Sequence, residues 1–305
     1  MTVLQTGEMT RIEGGTFSMG ASDFYPEEAP VREVTVSTFF IDPHTVTNAE
    51  FSRFVRKTGY VTVAERPLDP KEFPQVSAAE LVPGSLCFHM TEGPVDLNDF
   101  RNWWSWVQGA CWKRPEGPGS SIASRPDHPV VHVAYEDVES YARWAGKRLP
   151  TEAEWEYASR GGLDGKNFVW GDEPYPEGRQ FANTWQGDFP WKNSALDGYE
   201  RTAPVGQFPA NGYGLFDMAG NVWEWTSDWY VPHADGVKAP CCAGDDRAAS
   251  FDPCHSEGLM PRKVLKGGSF LCAPNYCLRF RPGARSPQAV DTGMSHIGFR
   301  CVADA

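Results

Sequence analysis

Beyond residue 165 the chain holds no segment that keeps a helical or strand period for long. Turn signals such as Asp197-Gly198 and Asn211-Gly212 recur instead. A stretch of more than 100 residues with so little regular backbone is unusual in a compact domain. Something besides long hydrogen-bonded ladders must fix it, and bound metal is one source of such reinforcement. The composition agrees: 30 Gly and 25 Pro are about 18 % of the 305 residues, against an average near ~12 %. Large rings (12 Trp, 18 Phe and 10 Tyr) supply the material for a core between the turns. That aromatic content excludes a disordered chain, and glycine without a three-residue period excludes a collagen-like one. The shortage of long periodic segments argues against a helical bundle.

The formal charge is −12, which argues against a phosphate-backbone partner and suits either cations or a solvated surface. No apolar run is long enough to cross a bilayer, and Met1 to Gly15 show no basic cluster followed by an apolar stretch. The expectation is therefore a cytoplasmic protein with no nucleic-acid or membrane partner. Its eight cysteines (87, 111, 241, 242, 254, 272, 277 and 301) are expected to be reduced rather than a disulfide framework.

Residues 9–19 read as a hairpin turning at Glu13-Gly14-Gly15, and 31–41 as a half-buried strand. Thr47-Asn-Ala-Glu50 is a capping box that opens a helix ended by Gly59. Residues 61–128 show little period. Helices follow at about 136–145 and from a second capping box, Thr151-Glu-Ala-Glu154, to Gly161-Gly162. Residues 231–262 read as a polar loop, and no linker or repeat divides 1–305.

Three constellations carry possible chemistry. In Lys266-Gly-Gly-Ser269-Phe-Leu-Cys272-Ala-Pro-Asn-Tyr276-Cys277 a short loop can turn both thiols into one pocket. Two thiolates suit a soft monovalent ion, above all Cu(I), whereas zinc wants four ligands. The same spacing also fits a disulfide or two small buried hydrophobes, so the residues alone leave the three readings open. Asp217, Glu224 and the carbonyls near Gly220 and Val222 can wrap a Ca²⁺, and Asn183-Thr184 with Asp197-Gly198-Tyr199 is a similar group; both are equally turn chemistry beside core tryptophans. Cys241-Cys242 with Cys254-His255 make a zinc site conceivable but match no standard spacing, and Arg125-Pro-Asp-His128 and His132 read as structural. Arg279 and Arg281 flank Phe280 with strand alternation and are expected on the face opposite the core.

At this point the chain resembles the formylglycine-generating enzymes, or sulfatase-modifying factors. The matching segments are Gly14-Gly-Thr-Phe-Ser-Met-Gly20, Lys147-Arg-Leu-Pro-Thr-Glu-Ala-Glu-Trp-Glu156, Ala182-Asn-Thr-Trp-Gln-Gly187, Gly220-Asn-Val-Trp-Glu-Trp225, Gly267-Gly-Ser-Phe-Leu-Cys272, Tyr276-Cys277 and Gly298-Phe-Arg-Cys301. They run in the family's order over nearly the whole chain, and the Cys272/Cys277 pair marks the catalytic branch.

The resemblance implies a single irregular α+β domain, distantly similar to C-type lectins and stabilised by Ca²⁺. It implies an oxidoreductase that uses O₂ and Cu(I) to turn the cysteine of Cys-x-Pro-x-Arg, in a nascent or unfolded sulfatase, into Cα-formylglycine. Cys272 and Cys277 are then the copper ligands, Ser269 is the pocket hydroxyl, and Trp223 and Tyr276 line the pocket. One calcium site falls on Asn183, the Thr184 carbonyl, Asp197 and the Tyr199 carbonyl. The other falls on Asp217, the Gly220 and Val222 carbonyls and Glu224. There are departures: Ala273 stands where some members have His, and Ala142 stands opposite Cys301 where secreted members have a bridge. A monomer is expected. The alternatives are a non-catalytic, calcium-stabilised ligand- or protein-binding module on the same scaffold, and a sulfoxide-forming iron oxidase of the same superfamily. The latter usually adds an N-terminal helical domain.

Overall fold

The structure is a computed structural model that describes residues 9–68, 70, 77, 81–233, 246–251 and 260–305. Cys241, Cys242, Cys254 and His255, and with them the conceivable zinc site, lie outside the described residues.

The N-terminal strands correct the first expectation. Strands β1 (Thr10–Ile12) and β2 (Gly15–Met19) do not pair with each other. Each pairs with a later strand instead: β2 with β3 (Arg32–Val36) and β1 with β4 (Phe39–Ile41). Thr10 faces Ile41, Ile12 faces Phe39, Gly15 faces Val36 and Met19 faces Arg32, so one antiparallel register runs through both pairs. The break between them falls at Gly14, where a Cβ would stand 2.6 Å from the Val36 carbonyl oxygen. The two segments thus form one interrupted ribbon, and its closing loop, residues 20–31, is free to pack elsewhere.

Helix α1 (Asn48–Thr58) starts at Thr47 through the reciprocal capping box with Glu50 and ends at Gly59, whose φ of 70° is left-handed. Strands β5 (Gly84–Phe88) and β6 (Trp104–Gln108) form an antiparallel pair inside the stretch that showed no period. Helix α2 (Tyr135–Trp144) follows, its first turn fastened by Asp137, which accepts the Ala134 N–H at 2.9 Å. Helix α3 (Glu152–Arg160) repeats the Thr151/Glu154 box and ends at Gly161, φ 56°. Strand β7 (Trp223–Trp229), the short helix α4 (Asp246–Ala249), β8 (Arg262–Lys266), β9 (Ser286–Ala289), β10 (Ile297–Gly298) and β11 (Val302–Asp304) complete the α+β domain. The four-stranded sheet runs β10-β7-β8-β9, with β10 parallel to β7, and β11 closes the small sheet on β4.

Rings fill the core. Phe51 is fully buried and has Phe54, Trp112, Tyr141 and Phe299 around it, centroids 5.2 to 6.5 Å away. Such aromatic contacts each add about 0.5–1.5 kcal/mol beyond burial. A second cluster of Phe88, Trp103, Trp185, Phe189, Phe270 and Leu271 lies beside the glycine-rich loop that follows β8.

Buried ion pairs tie the irregular half to helix α3, to the 20–31 loop and to itself. Lys266 at the end of β8 is fully buried and reaches Glu156 of α3 at 2.9 Å. Arg285 meets Glu152 at 2.9 Å, Arg300 meets Glu224 at 2.7 Å, and Arg281 grips Glu28 in the 20–31 loop. The expected outward face for Arg279 and Arg281 is therefore wrong. Arg281 is 1 % exposed, because the Glu28 carboxylate brought in by a distant loop satisfies it. A charge inside a fold is tolerated only when it is paired in this way.

Two buried groups set an acid limit on this scaffold. Burial alone would raise the Glu152 carboxyl, but His233, Arg285 and Lys266 around it bring it down to about 2 from its ordinary 4.5. Burial pushes the His132 imidazole down to about 4 from 6.5. Both groups hold fewer protons folded than unfolded. The stability they carry is therefore complete above the ordinary values and lost as pH falls toward the folded ones. Melting temperature, followed by circular dichroism at constant ionic strength, is expected to fall as pH drops from about 6.5 to 4, and again from about 4.5 to 2. A melting temperature that rises over the first interval contradicts this.

Candidate active site

The chain leaves β8 at Lys266 through two glycines that no other residue replaces without strain. Gly267 has φ 93° and lies against Trp155; Gly268 has φ 72°, and a Cβ on it would stand 2.9 Å from the Phe280 backbone. The turn delivers Ser269, and a tight loop then closes on itself. The Cys272 N–H donates to the Ser269 carbonyl at 2.9 Å, and the Cys277 N–H donates to the Ala273 carbonyl at 2.7 Å.

That closure brings the two thiols together. The Sγ atoms are 3.4 Å apart and unbridged, so the disulfide reading is set aside: a bond would need about 2.05 Å. Cys272 is 1 % exposed and Cys277 9 %. Ser269 N–H donates toward Cys272 Sγ at 3.4 Å, and Arg279 Nη1 lies 3.8 Å from Cys277 Sγ. The hydrogen bond with Cys272 brings the Cys277 thiol down, against its burial and with help from Arg279. Burial and the neighbouring Cys277 push Cys272 up. Cys277 is thus the more acidic of the two thiols.

Both thiols open into a cavity of about 160 Å³. Ser269, Trp223 and Tyr276 line it, and so do Arg279, which was expected on the face opposite the core, and Trp103, Trp104, Phe189 and His296, which the sequence did not single out. Tyr276 stacks on Phe189 with centroids 4.5 Å and planes 5° apart, and Trp103 stands edge-on to both at 5.4 Å. Tyr276 is 38 % exposed, which puts it at the cavity mouth. The single signal for the missed residues was the excess of aromatics; which of them meet at the sulfurs depends on long-range contacts, across more than 150 positions for Trp103 and Trp104. His132 sits apart, fully buried, with its ring between Ser85 and the Pro115 carbonyl, in the structural place expected for it.

The two acidic loops pack directly against the cysteine loop. The Trp185 N–H donates to the Cys272 carbonyl at 3.0 Å and Phe270 N–H to the Asn221 carbonyl at 3.0 Å. Asn221 N–H reaches the Asn183 carbonyl at 2.8 Å, and Gly220 N–H the Gly267 carbonyl at 2.9 Å. In the first group, Asp197 accepts the Thr184 and Tyr199 N–H groups at 3.0 and 2.9 Å. The Gln186 amide touches both Asp197 and the Thr184 carbonyl, and Asn183 Oδ1 is buried without a partner. An orphaned buried oxygen in a group that also offers a carboxylate and carbonyls is a donor a hard cation takes. In the second group, Asp217 adopts φ 55°, and its Oδ1 is likewise buried without a partner. Glu224 differs. Arg300 takes both its oxygens at 2.7 Å and the Trp155 indole N–H adds another bond at 2.7 Å, so a cation at Asp217 has to share Glu224 with a guanidinium.

Among the described residues no cluster of three or more His, Cys, Asp or Glu side chains forms a metal cage. The sulfur pair is therefore a two-donor site, which fits a soft monovalent ion and not zinc.

Residues 2–305 match the sulfatase-modifying factor enzyme 1-like domain. The chain is 57 % identical over 299 residues to a formylglycine-generating enzyme of Mycobacterium tuberculosis, covering 97 % of this chain and 98 % of that one. It is 48 % identical to a formylglycine-generating enzyme of Thermomonospora curvata, covering 97 % and 93 %. Among solved structures, that of PvdO from Pseudomonas aeruginosa shares the fold with a TM-score of 0.64 at 25 % identity, covering 97 % of this chain and 94 % of that one.

Proposed function

Because this chain belongs to the sulfatase-modifying factor family, we propose that it oxidises the cysteine of a Cys-x-Pro-x-Arg segment in a sulfatase to Cα-formylglycine, with O₂ as oxidant and copper held by Cys272 and Cys277. The observation that carries the reading is the pair of buried, unbridged sulfurs 3.4 Å apart in an aromatic cavity. A binding module has no need for both.

Bound copper would supply the redox centre at which O₂ and the substrate sulfur meet. The protein's own residues do the rest. Cys272 and Cys277 gather anionic sulfur, which is the form a metal takes. The Ser269 hydroxyl offers a hydrogen bond within the cavity, where the substrate sulfur and oxygen must lie. Trp103, Trp223 and Phe189 supply apolar wall around the sulfurs, and Tyr276 frames the entrance. The reaction replaces the Cβ–S bond by a carbonyl, a two-electron oxidation of Cβ with loss of sulfur as sulfide. Complete reduction of O₂ to water takes two further electrons from an external reductant.

A nascent or unfolded substrate offers an extended segment that can enter such a mouth, and the net charge of −12 favours its arginine. Asn183, Asp197 and the carbonyls of Thr184 and Tyr199 would hold one Ca²⁺. Asp217 with the Gly220 and Val222 carbonyls would hold another, sharing Glu224 with Arg300. Five unbridged thiols among the described residues support a reducing, cytoplasmic setting, and the reading needs only a monomer.

The test is direct. The protein is incubated with a Cys-x-Pro-x-Arg peptide, Cu(I), reductant and O₂, and the product is trapped with a hydrazide. The expected result is a trapped aldehyde at the cysteine position. No aldehyde with copper bound would favour the calcium-stabilised binding module.

A further inference from the structure

Among the described residues that line the cavity, Arg279 alone carries a permanent charge and none is a carboxylate. Its Nη1 faces Cys277 Sγ at 3.8 Å. Nη2 and the guanidinium plane are held from outside, while Nε is buried without a partner. Nη2 donates to Glu27 at 2.7 Å, and the Tyr25 ring lies under the guanidinium carbon at 3.9 Å. The Tyr25 hydroxyl also accepts the Leu278 N–H at 3.0 Å, between the two residues at issue. Tyr25 and Glu27 belong to the loop that closes the N-terminal ribbon, some 250 residues away in sequence. Glu27 stands on the solvent side with 24 % of its side chain exposed, so water screens its charge more than it screens the sulfur side.

On the copper reading this arrangement meets a definite need. Two thiolates around one monovalent ion leave a net negative charge, and a substrate thiolate adds a second. Negative charge gathered on buried sulfurs is costly unless a cation stands beside it. A guanidinium serves this purpose well, since it does not lose its proton and its flat fork can be fixed by stacking.

We propose that Arg279 is a positioning residue that offsets the negative charge gathered on the sulfur pair when metal and substrate bind, and that Tyr25 and Glu27 hold it in place. The inference rests on the copper reading above. It also accounts for the 20–31 loop: the loop carries the clamp that aims the cation.

The test compares the full-length protein with its Arg279→Met, Arg279→Gln and Arg279→Lys variants. Cu(I) affinity is measured by competition with a chromogenic chelator, and metal-free melting temperature serves as the structural control. Outer partners of metal ligands typically contribute about 10–100-fold in affinity. Arg279→Met and Arg279→Gln are expected to lose that much, Arg279→Lys to recover most of it, and the deficit to widen when the Cys-x-Pro-x-Arg peptide is present. Arg279→Gln stands in if the Met variant does not fold. Wild-type affinity in the uncharged variants overturns the proposal alone. So does a lysine variant as weak as the methionine one with an equal fall in melting temperature, since that pattern marks a purely structural role. Absence of Cu(I) binding by the wild-type protein overturns the copper reading and this inference together.

Discussion

Cys272→Ser and Cys277→Ser should each lower turnover of a Cys-x-Pro-x-Arg peptide by at least about 1000-fold, or ~4 kcal/mol of barrier. Serine is close to isosteric, but its oxygen is a hard, protonated donor that a soft ion does not take. The loop itself does not depend on sulfur. Its closing bonds run between the Cys272 and Cys277 backbone N–H groups and the Ser269 and Ala273 carbonyls. A buried hydroxyl without a full set of partners costs about 1–3 kcal/mol. Melting temperatures should therefore fall by only a few degrees, which separates a lost reaction from a lost fold. Either single variant turning over peptide at near wild-type rate would remove the two-sulfur site from the mechanism.

Arg281→Met should lower stability by about 3–5 kcal/mol, the usual effect of stripping one partner from a buried ion pair. For a chain of this size that is a fall in melting temperature of roughly 5–10 °C. Arg281 and Glu28 are 1 % and 0 % exposed, so no water can replace the missing cation. Burial already pushes the Glu28 carboxyl up, against the pull of Arg281. The double variant Glu28→Met/Arg281→Met removes both charges and should recover much of the loss, because two apolar side chains in place of a buried pair are often neutral. Denaturant and thermal unfolding of the three proteins measure this. A double variant as unstable as the single one would mean that the pair contributes net stability, rather than merely cancelling the cost of each charge.

What could be read from the sequence was local. Helices α1 and α3 announce themselves because Thr47/Glu50 and Thr151/Glu154 satisfy their own first-turn N–H groups, and Gly59 and Gly161 supply the left-handed exits. The cysteine loop was legible for the same reason: its turn residues and its chemistry lie within a dozen positions. The hairpin over 9–19 was misread because Glu13-Gly14-Gly15 looks like a turn. Gly14 is in fact required for close approach to a strand more than 20 residues later. Strands β5 and β6 escaped notice because their partners are separated by fifteen irregular residues. Arg279 and Arg281 were placed outside for a sound local reason, alternation around Phe280. Their carboxylate and ring partners, Phe24 to Glu28, lie at the other end of the chain. Reinforcement of the turn-rich half was expected from metal. The buried pairs of Lys266, Arg281, Arg285 and Arg300 supply a good part of it, and Asn183 and Asp217 each keep a buried oxygen without a partner, at the two sites proposed for Ca²⁺.

The scaffold and the site are joined through backbone bonds. Asn183, Asn221, Phe270, Trp185 and Cys272 form a chain of main-chain contacts from the acidic loops to the sulfur loop. Arg279 reaches the same sulfurs from the opposite side, under the hold of Tyr25 and Glu27. The central claim is that the reaction belongs to the metal-loaded sulfur pair of this cavity. Titrating the metal-free protein with Cu(I) while following peptide turnover tests it most directly. The account predicts activity that rises in proportion to copper and levels off at one equivalent, with neither cysteine variant responding. Full turnover in protein shown to be free of copper would contradict it.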